Sequence, residues 1–279
     1  GQPMWGRSSE SLALVDAANE RGLDVTIDQY PSPASSTGLR AVFPRWSLDG
    51  GGPALRARLD DPEERARVKE GIVYALINER GGNDASRVHL AQCRWDPSLN
   101  GLNLEDVLRQ REMELTIENA AELIMDFEYA GGCQCVYHAM SMQDVDRIMV
   151  HARTMIASDG GVMAPGDNSP HPRNYGSFAR VLGVFVRERG LLPLATAIHK
   201  MTMMPADRIN LEDRGRIEVG AIADIAVFDP DEIIDTATFE EPHQYALGVH
   251  HVFVNGEGVL LDKVMTGARP GRVLRANRP

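Results

Sequence analysis

Apolar and polar positions follow two different patterns along the chain. Up to about residue 204, apolar runs of strand length alternate with segments whose apolar residues recur at helical spacing. Beyond that point, short apolar runs separated by glycine-containing turns replace the helical pattern, and Asn255-Gly256 is a strong hairpin signal. The pattern predicts an α/β unit over residues 1–204, in which strands alternate with helices, followed by a small all-β segment over residues 205–279.

Sequence patterns that predict helices occur in the middle of the chain and in the segment that follows. Residues 101–131 carry apolar positions at helical spacing in two stretches and predict two helices. Ser141, with Asp144 three residues later, predicts a helix that begins with a capping box. A later helix, opened by a proline, is predicted to end in solvent at His199 and Lys200.

The candidate chemistry lies where one predicted strand ends. The apolar run of residues 154–157 is broken abruptly by turn residues around Asp159, which leaves a carboxylate at the carboxyl end of a strand. Enzymes built on α/β sheets keep their chemistry at that end. The following loop brings His171 and Arg173 to the start of an amphipathic helix, so a carboxylate and a guanidinium can face one pocket. The alternative is that Asp159 only turns the chain or caps a neighbouring segment.

Composition is that of an ordinary globular protein and narrows the range of partners. The 279 residues are 43% hydrophobic and 25% charged, which predicts an ordered chain with a sizeable core. A net charge of -11 argues against nucleic acid or an anionic membrane as a partner, because both require a basic surface. No apolar run approaches the roughly 18 residues of a membrane span. A small molecule is therefore the expected partner.

The number and spacing of the cysteines indicate whether the protein is found in a reducing or an oxidising compartment. Three cysteines, an odd number in a chain of this length, do not form a disulfide framework. Cys133 and Cys135 could be a metal-ligand pair, but without a second pair they are better explained as two buried thiols at the start of a strand. The pattern therefore favours a reducing cytoplasm.

Segments spread over nearly the whole chain carry a resemblance to a known family. In chain order they include Asp28-Gln-Tyr-Pro31, Ala34-Ser-Ser-Thr37, Ile156-Ala-Ser-Asp-Gly160, His171-Pro-Arg-Asn-Tyr-Gly176, Lys200-Met-Thr202, Gly220-Ala-Ile-Ala-Asp224, Val254-Asn-Gly256 and Gly267-Ala-Arg-Pro-Gly-Arg-Val-Leu274. They resemble the amidohydrolase superfamily and, within it, the N-acyl-D-amino-acid deacylases, or D-aminoacylases. The pattern after residue 205 is common to many amidohydrolases, whereas the segments that begin at Asp28 and His171 are typical of the deacylases.

The resemblance implies a (β/α)8 barrel, or TIM barrel, with a small β-sandwich built from both chain ends. Residues 1–204 would supply only the later barrel strands, with an inserted helical segment near residues 101–131, and residues 205–279 would supply the C-terminal sandwich segment. The first six residues resemble the interior of a loop, so the chain is expected to begin partway through a larger protein. The other metal ligands would then lie upstream of Gly1, and the isolated fragment is expected to be inactive.

The same resemblance implies a zinc-dependent hydrolase. In this family a Zn²⁺ ion at the carboxyl end of the barrel lowers the pKa of a bound water to roughly 7 and so supplies hydroxide at neutral pH. Asp159 would be a metal ligand and the catalytic group that moves a proton from the water to the departing amine. Arg173 would hold the α-carboxylate of the substrate as a planar, two-pronged cation, and His171 would contribute to substrate binding.

Tyr30 departs from part of the family, where a metal-binding histidine occupies this position. A phenol is a poor zinc ligand at neutral pH because its ordinary pKa is about 10. Either relatives with tyrosine bind metal through fewer protein ligands, or Tyr30 orients the substrate. A third alternative is that Tyr30 is a core aromatic at the end of a strand.

The expected reaction is hydrolysis of N-acyl-D-amino acids, which are linear amides, to a carboxylate and a D-amino acid. A cyclic-amide hydrolase such as a hydantoinase or a dihydroorotase shares the C-terminal pattern but does not need the carboxylate clamp around Arg173. A third, non-enzymatic hypothesis is a truncated and inactive amidohydrolase that serves as an interaction module.

Overall fold

Helices and strands alternate through the first part of the chain, and strands prevail near its end. A computed structural model describes residues 1–275. The helices are α1 (Ser8–Glu20), α2 (Gly51–Asp60), α3 (Pro62–Ala75), α4 (Leu104–Gln110), α5 (Ile117–Ala130), α6 (Met142–Val150), α7 (Arg173–Arg180), α8 (Leu194–Met201) and α9 (Met203–Arg208). Two π-helical turns, Leu76–Arg80 and Val181–Glu188, continue α3 and α7, and short 3-10 turns lie at Gln2–Met4, Leu39–Val42, Arg45–Leu48, Ala85–Arg87 and Pro97–Leu99. The strands are β1 (Ile27–Gln29), β2 (Ser35–Gly38), β3 (Val88–Gln92), β4 (Gln134–Tyr137), β5 (Thr154–Ile156), β6 (Ile225–Phe228), β7 (Val249–Val254), β8 (Glu257–Leu261) and β9 (Val264–Met265).

The strands of residues 1–275 form three sheets. β1 and β5 pair in parallel, β2, β4 and β3 form an antiparallel sheet in that order, and β6 to β9 form an antiparallel meander. Alternation of strands with helices is typical of parallel sheets, yet only β1 and β5 are paired in that way. Because these two strands run in the same direction, both end at one edge, and the chemistry predicted from the sequence lies at that edge.

Two apolar cores hold these layers together. One packs α3 and α5 against the antiparallel sheet and includes Ile72, Leu90 and Phe127, all at most 1% exposed. The other packs α6 and the Val181–Glu188 turn against β5. The predicted pair of helices within residues 101–131 is confirmed as α4 and α5, and α4 begins with a complete capping box. Within the described residues, no helix is long and apolar enough to cross a membrane.

The prediction of two neighbouring buried thiols is wrong for Cys133. Cys133 is bonded to Cys93, with their Cα atoms 4.4 Å apart, while Cys135 is a buried free thiol. Antiparallel pairing of β3 with β4 brings the end of one strand beside the start of the other, as the register Gln92 with Gln134 shows. An odd cysteine count therefore does not exclude one bridge, and the argument for a reducing compartment loses its basis.

The capping box predicted at Ser141 is also absent from the structure. Ser141 precedes α6 but its side chain makes no capping hydrogen bond. The Asp144 carboxylate instead accepts hydrogen bonds from the Gly6 amide at 2.7 Å, from the Ser8 amide at 3.3 Å and from the Ser8 hydroxyl. This carboxylate consequently ties the first turn of α1 to α6 rather than capping its own helix.

Lys200 is buried, contrary to the predicted solvated end of α8. Its residue is 3% exposed, and its Nζ donates hydrogen bonds to the carbonyl oxygens of His151 at 2.5 Å and Thr154 at 2.9 Å. Burial lowers the pKa of the Lys200 amine. The neighbouring His199 is exposed as predicted. Lys200 therefore joins α8 to the segment that begins β5, which in turn leads to Asp159.

Substitution Lys200→Ala is expected to lower the free energy of unfolding by about 2–4 kcal/mol, because it removes a buried stem and leaves carbonyl acceptors without donors. The measurement is urea unfolding followed by circular dichroism. The control His199→Ala changes an exposed neighbour and should alter stability by about 0.5 kcal/mol or less. Equal stability of the two variants would contradict the structural role assigned to Lys200.

Candidate active site

The candidate site lies at the edge where β1 and β5 end together. The Ala157 amide donates a hydrogen bond to the Gln29 carbonyl at 2.9 Å, so the pairing extends one residue beyond β5. Tyr30 follows β1 directly, and Asp159 follows β5 after two further residues. Asp159 has φ 47°, the left-handed region that aspartate tolerates better than most residues and that recurs at functional sites. Two separate stretches of sequence thus meet at one point.

Asp159 and Arg173 form an ion pair, with Oδ2 and Nη2 2.9 Å apart. A Cβ atom added to Gly160 would lie 2.8 Å from the Arg173 carbonyl oxygen, so only glycine lets the strand-end loop approach the start of α7 this closely. The Arg173 side chain is 8% exposed, whereas that of Asp159 is 64% exposed. The guanidinium carbon also lies 4.6 Å from the centroid of the Tyr30 ring. The structure therefore brings together three of the residues singled out from the sequence.

Arg173 retains unused hydrogen-bonding capacity. Apart from its bond to Asp159, Nη2 lies 3.4 Å from the Ser36 carbonyl oxygen. Nε and Nη1 are buried and have no partner among the described residues. Buried donors without acceptors are unfavourable by about 1–3 kcal/mol each. A carboxylate ligand would supply an acceptor to Nε or to Nη1, and the resulting hydrogen bond would be charge-assisted.

His171 lies behind Arg173 and is 2% exposed. Its Nε2 is 3.0 Å from the Ala34 carbonyl oxygen and 3.3 Å from the Ser32 hydroxyl, and its Nδ1 accepts a hydrogen bond from the Arg173 amide at 2.9 Å. Burial lowers the pKa of His171 to about 4, so the ring is neutral with its proton on Nε2. Both ring nitrogens contact protein groups, which fits a positioning role; the predicted substrate contact of His171 stays a prediction.

Tyr30 lines a cavity of about 640 Å³, which is large enough for a small molecule. Burial raises the pKa of the Tyr30 phenol, although the Arg173 charge opposes this effect. The phenol is therefore protonated at neutral pH and can donate a hydrogen bond into the cavity. Asp159 lines the same cavity, together with apolar and polar side chains that include Trp5, Ser32, Met140, Val145 and Ile148.

An aromatic cluster beside the site was not evident in the sequence. The rings of His138 and His171 contact Phe239 at centroid distances of 4.5 and 5.1 Å, and His89 lies 4.8 Å from His138. Burial lowers the pKa of His138 to about 4, and its buried Nε2 has no partner within the described part of the chain. Phe239 lies in a polar stretch far from the other three in sequence, so no local signal marks it.

The two histidines of low pKa predict acid sensitivity. The unfolded chain takes up protons at both residues near pH 6.5, the ordinary pKa of histidine, whereas the folded chain does so only near pH 4. The stability that comes from neutral His138 and His171 is therefore complete above about pH 6.5 and is lost as the pH falls towards 4. We expect protonation of the two histidines to lower the free energy of unfolding by about 2–4 kcal/mol in total as the pH falls from about 6.5 towards 4. This range includes a reduction for the part of each side chain that remains in contact with water.

The matched test uses His138→Phe, which keeps an aromatic ring against Phe239 but cannot take up a proton. The fall in the free energy of unfolding between about pH 7 and about pH 4.5 should be smaller than in the wild type, by about 1 kcal/mol or more. Substitution of the exposed His199 by phenylalanine should leave the fall unchanged. Superimposable pH profiles of His138→Phe and the wild type, measured by urea unfolding, would contradict the interpretation.

The carboxylates that line the cavity in residues 1–275 are Asp28, Asp144 and Asp159, and its lining contains no histidine or cysteine. The Asp159 Oδ1 atom makes no hydrogen bond or ion pair there and could bind a cation. Elsewhere within the same residues, Asp229, Glu232 and His250 bring three possible ligand atoms within 4.8 Å of one another at the surface of the C-terminal sheet. That cluster belongs to a different part of the chain from Asp159. A complete zinc site therefore requires donors other than those near Asp159.

Comparison with known proteins identifies the family to which this chain belongs. A family model described as the amidohydrolase family matches residues 114–260, which include Asp159 and Arg173. The chain belongs to the amidohydrolase family. Its mixed helices and sheets agree with the α/β fold of an amidohydrolase, as expected from the sequence resemblance.

Relatives of this amidohydrolase include named deacylases. The chain is 36% identical over 274 residues to a D-aminoacylase of Alcaligenes xylosoxydans xylosoxydans, covering 98% of this chain and 46% of the relative. It is 37% identical over 277 residues to an N-acyl-D-aspartate deacylase of the same organism, covering 98% and 45%. A solved N-acyl-D-glutamate deacylase from Bordetella bronchiseptica, complexed with zinc and a phosphonate that mimics the tetrahedral intermediate, superimposes with TM-score 0.72 at 33% identity, covering 98% and 47%. The chain thus spans about half the length of the curated relatives it matches.

Proposed function

We propose that this chain contributes Asp159, Arg173 and Tyr30 to the active site of a deacylase that hydrolyses N-acyl-D-amino acids to a carboxylate and a D-amino acid. The observation that carries the proposal is the Asp159–Arg173 pair, 2.9 Å apart. Asp159 lines the cavity of about 640 Å³, Arg173 lines a second cavity of about 220 Å³, and Ser32 lines both. The pair supports the proposal because a carboxylate can move protons and the neighbouring guanidinium can bind the carboxylate of a substrate. Identity of 36% and 37% to relatives named for this chemistry supports the same reaction.

Arg173 would bind the α-carboxylate of the substrate. The buried Nε and Nη1 donors lack partners in residues 1–275, and the Tyr30 ring beneath the guanidinium restricts its orientation. A carboxylate bound there would leave the acyl amide directed towards the cavity that Asp159 and Tyr30 line. Tyr30, protonated because burial raises its pKa, would donate a hydrogen bond to the substrate rather than bind metal.

Asp159 would act as the general base and general acid. Its carboxylate is 64% exposed and uses only Oδ2 in the pair with Arg173, so Oδ1 can accept a proton from water. The same proton, delivered to the amide nitrogen, converts a poor leaving group into a neutral amine. The net reaction breaks the carbon–nitrogen bond and forms a carbon–oxygen bond from water, with no change in oxidation state.

We propose Zn²⁺ as the metal, with Asp159 as one ligand and the remaining ligands outside residues 1–275. The zinc complex of the Bordetella bronchiseptica relative supports this choice. When bound, a zinc ion would polarise the amide carbonyl and lower the pKa of a water molecule. Asp159 would orient that water through its free oxygen, and Arg173 would hold the substrate beside it.

The architecture implied by the family is part of the proposal. We infer that β1 and β5 are strands of a (β/α)8 barrel, because they pair in parallel and present the site at their carboxyl ends. The antiparallel sheet of β2, β4 and β3, with α2 to α5, would be an insertion larger than the helical segment predicted near residues 101–131. Residues 1–204 would then combine barrel structure with this insertion, and the strands β6 to β9 would be part of a β-sandwich.

The test of the proposed function is an assay, with zinc, of the protein together with the segment that supplies its remaining metal ligands. The N-acetyl derivatives of D-leucine, D-glutamate and D-aspartate, their L enantiomers and a substituted hydantoin are each incubated with it, and the amine or ring-opened product is measured. We expect release of D-amino acids, but of neither L-amino acids nor ring-opened product. Ring opening of the hydantoin without amide hydrolysis would favour a cyclic-amide hydrolase, and absence of any product would overturn the proposal in favour of an inactive interaction module.

A further inference from the structure

Arg80 is a second arginine whose guanidinium lies on the sheet next to the candidate site. It ends the π-helical turn Leu76–Arg80, which continues α3. Its Nη1 donates a hydrogen bond to the Ser35 hydroxyl at 3.3 Å, and its guanidinium carbon is 5.6 Å from the centroid of the Tyr137 ring. Ser35 and Tyr137 are paired across β2 and β4, so Arg80 is held by one cross-strand pair.

The turn that carries Arg80 also packs against a wall of the cavity. Leu76–Arg80 contacts the 3-10 turn Gln2–Met4. Met4 and the next residue, Trp5, line the cavity that Tyr30 and Asp159 share. The turn that carries Arg80 therefore lies behind the part of the cavity wall that Met4 and Trp5 form.

No carboxylate compensates the charge of Arg80 in residues 1–275. Other arginines of the chain, such as Arg65 and Arg180, form ion pairs with N···O distances of 2.7 to 3.0 Å, but no acidic group lies within 4.0 Å of the Arg80 nitrogens. The chain contains 40 acidic and 29 basic residues, so carboxylates are abundant. Of the five guanidinium donors, the described structure uses one, on a neutral hydroxyl.

Arg80 and Arg173 are anchored at consecutive residues of β2. Arg173 contacts the Ser36 carbonyl oxygen at 3.4 Å, and Arg80 contacts the Ser35 hydroxyl at 3.3 Å. Consecutive Cα atoms are about 3.8 Å apart, so the two anchor points are one residue apart on the strand. Both charges also act on Tyr30: burial raises the pKa of its phenol, and Arg173 and Arg80 both oppose that rise. A ligand held on Arg173 is therefore close to Arg80.

We propose that Arg80 is a specificity-determining residue that binds a second carboxylate, the one on the substrate's side chain. This inference rests on the proposed function and names its substrate class: N-acyl derivatives of the acidic D-amino acids, glutamate or aspartate. A carboxylate on Arg80 would form charge-assisted hydrogen bonds, whereas a neutral side chain would leave the remaining guanidinium donors without partners. Relatives named for N-acyl-D-aspartate and N-acyl-D-glutamate are among those that the chain matches.

The experiment measures equilibrium binding to the metal-depleted protein by isothermal titration calorimetry, so that no ligand is hydrolysed. The ligands are N-acetyl-D-glutamate and its neutral isostere N-acetyl-D-glutamine, and the corresponding aspartate and asparagine pair. The wild type should bind one acidic ligand about 10- to 100-fold more tightly than its neutral isostere. The pair with the larger ratio identifies the length of the side chain.

Three variants separate the roles of the two arginines. Arg80→Met should remove the preference for the acidic ligand and leave the affinity for the neutral isostere within about twofold, whereas Arg80→Lys should retain part of the preference. Arg173→Met should weaken the acidic and neutral ligands alike. Arg67→Met, on the exposed face of α3, is the matched control and should change neither affinity nor preference. Thermal unfolding of each variant checks that it is folded.

The outcomes distinguish the inference from the proposed function. Equal affinity of the wild type for acidic and neutral ligands, or an unchanged preference in folded Arg80→Met, would overturn the inference while the deacylase proposal stands. Failure of all four ligands to bind the wild type would overturn both. A preference for the acidic ligand that disappears only in Arg80→Met would support the assignment.

Discussion

Substitution Asp159→Asn is expected to lower kcat for hydrolysis of N-acetyl-D-amino acids by about 10²- to 10⁴-fold, the usual contribution of a positioned general acid–base group. Asparagine preserves the size of the side chain but can neither take a proton from water nor return it to the amide nitrogen. KM should stay the same or fall, because the variant removes a carboxylate that competes with the substrate for Arg173, 2.9 Å away. Steady-state kinetics at saturating zinc measure both parameters.

The control for this variant is Asp167→Asn. Asp167 is an exposed carboxylate in the loop that joins Asp159 to α7, and its loss should leave kcat unchanged within about twofold. Because Asp159 is 64% exposed, folding should tolerate the substitution. An Asp159→Asn enzyme that retains the wild-type kcat would end the assignment of Asp159 as the proton-transfer group, whatever happens to KM.

The Asp159–Arg173 arrangement could be predicted because its causes are local. An apolar run that stops at turn residues places a carboxylate at a strand end, and a loop that leads into an amphipathic helix places Arg173 at that helix's start. Gly160 adds a signal whose meaning only the structure shows. Its missing side chain lets the loop approach the Arg173 carbonyl, where a Cβ would lie 2.8 Å away.

Features that depend on pairing between distant segments could not be predicted. The bridge between Cys93 and Cys133 joins residues 40 positions apart, and it depends on β3 and β4 being antiparallel. Strand patterns alone do not give a strand's direction relative to its neighbours. The position of Arg80 could not be predicted for the same reason, since its contacts with Ser35 and Tyr137 depend on the pairing of β2 with β4.

The predicted environments of two polar residues are wrong because their contacts come from distant parts of the chain. Lys200 stands near the end of α8, a position that is usually solvated, but the two carbonyls it contacts belong to the segment around β5. Asp144 has the spacing of a capping box, yet α1 offers it better donors. In each case a tertiary contact outweighs the local preference.

Substitution Arg173→Met is expected to raise KM for N-acetyl-D-amino acids by about 10- to 100-fold, with a smaller effect on kcat. The Arg173 side chain is 8% exposed, and its guanidinium has two buried donors without partners in the described residues. A substrate carboxylate that binds there gains charge-assisted hydrogen bonds out of contact with water, so their loss has a large effect. Methionine fills much of the same space against Tyr30 without offering a donor.

The stability of Arg173→Met separates a binding role from a structural one. Because two buried donors are unsatisfied in the wild type and Asp159 is mostly exposed, removal of the guanidinium should change the free energy of unfolding by about 1 kcal/mol or less. The exposed Arg153 at the start of β5 provides the control, since Arg153→Met should alter neither KM nor stability. Strong destabilisation of Arg173→Met with an unchanged KM would show that Arg173 holds the loop in place, and the carboxylate-binding role would then be wrong.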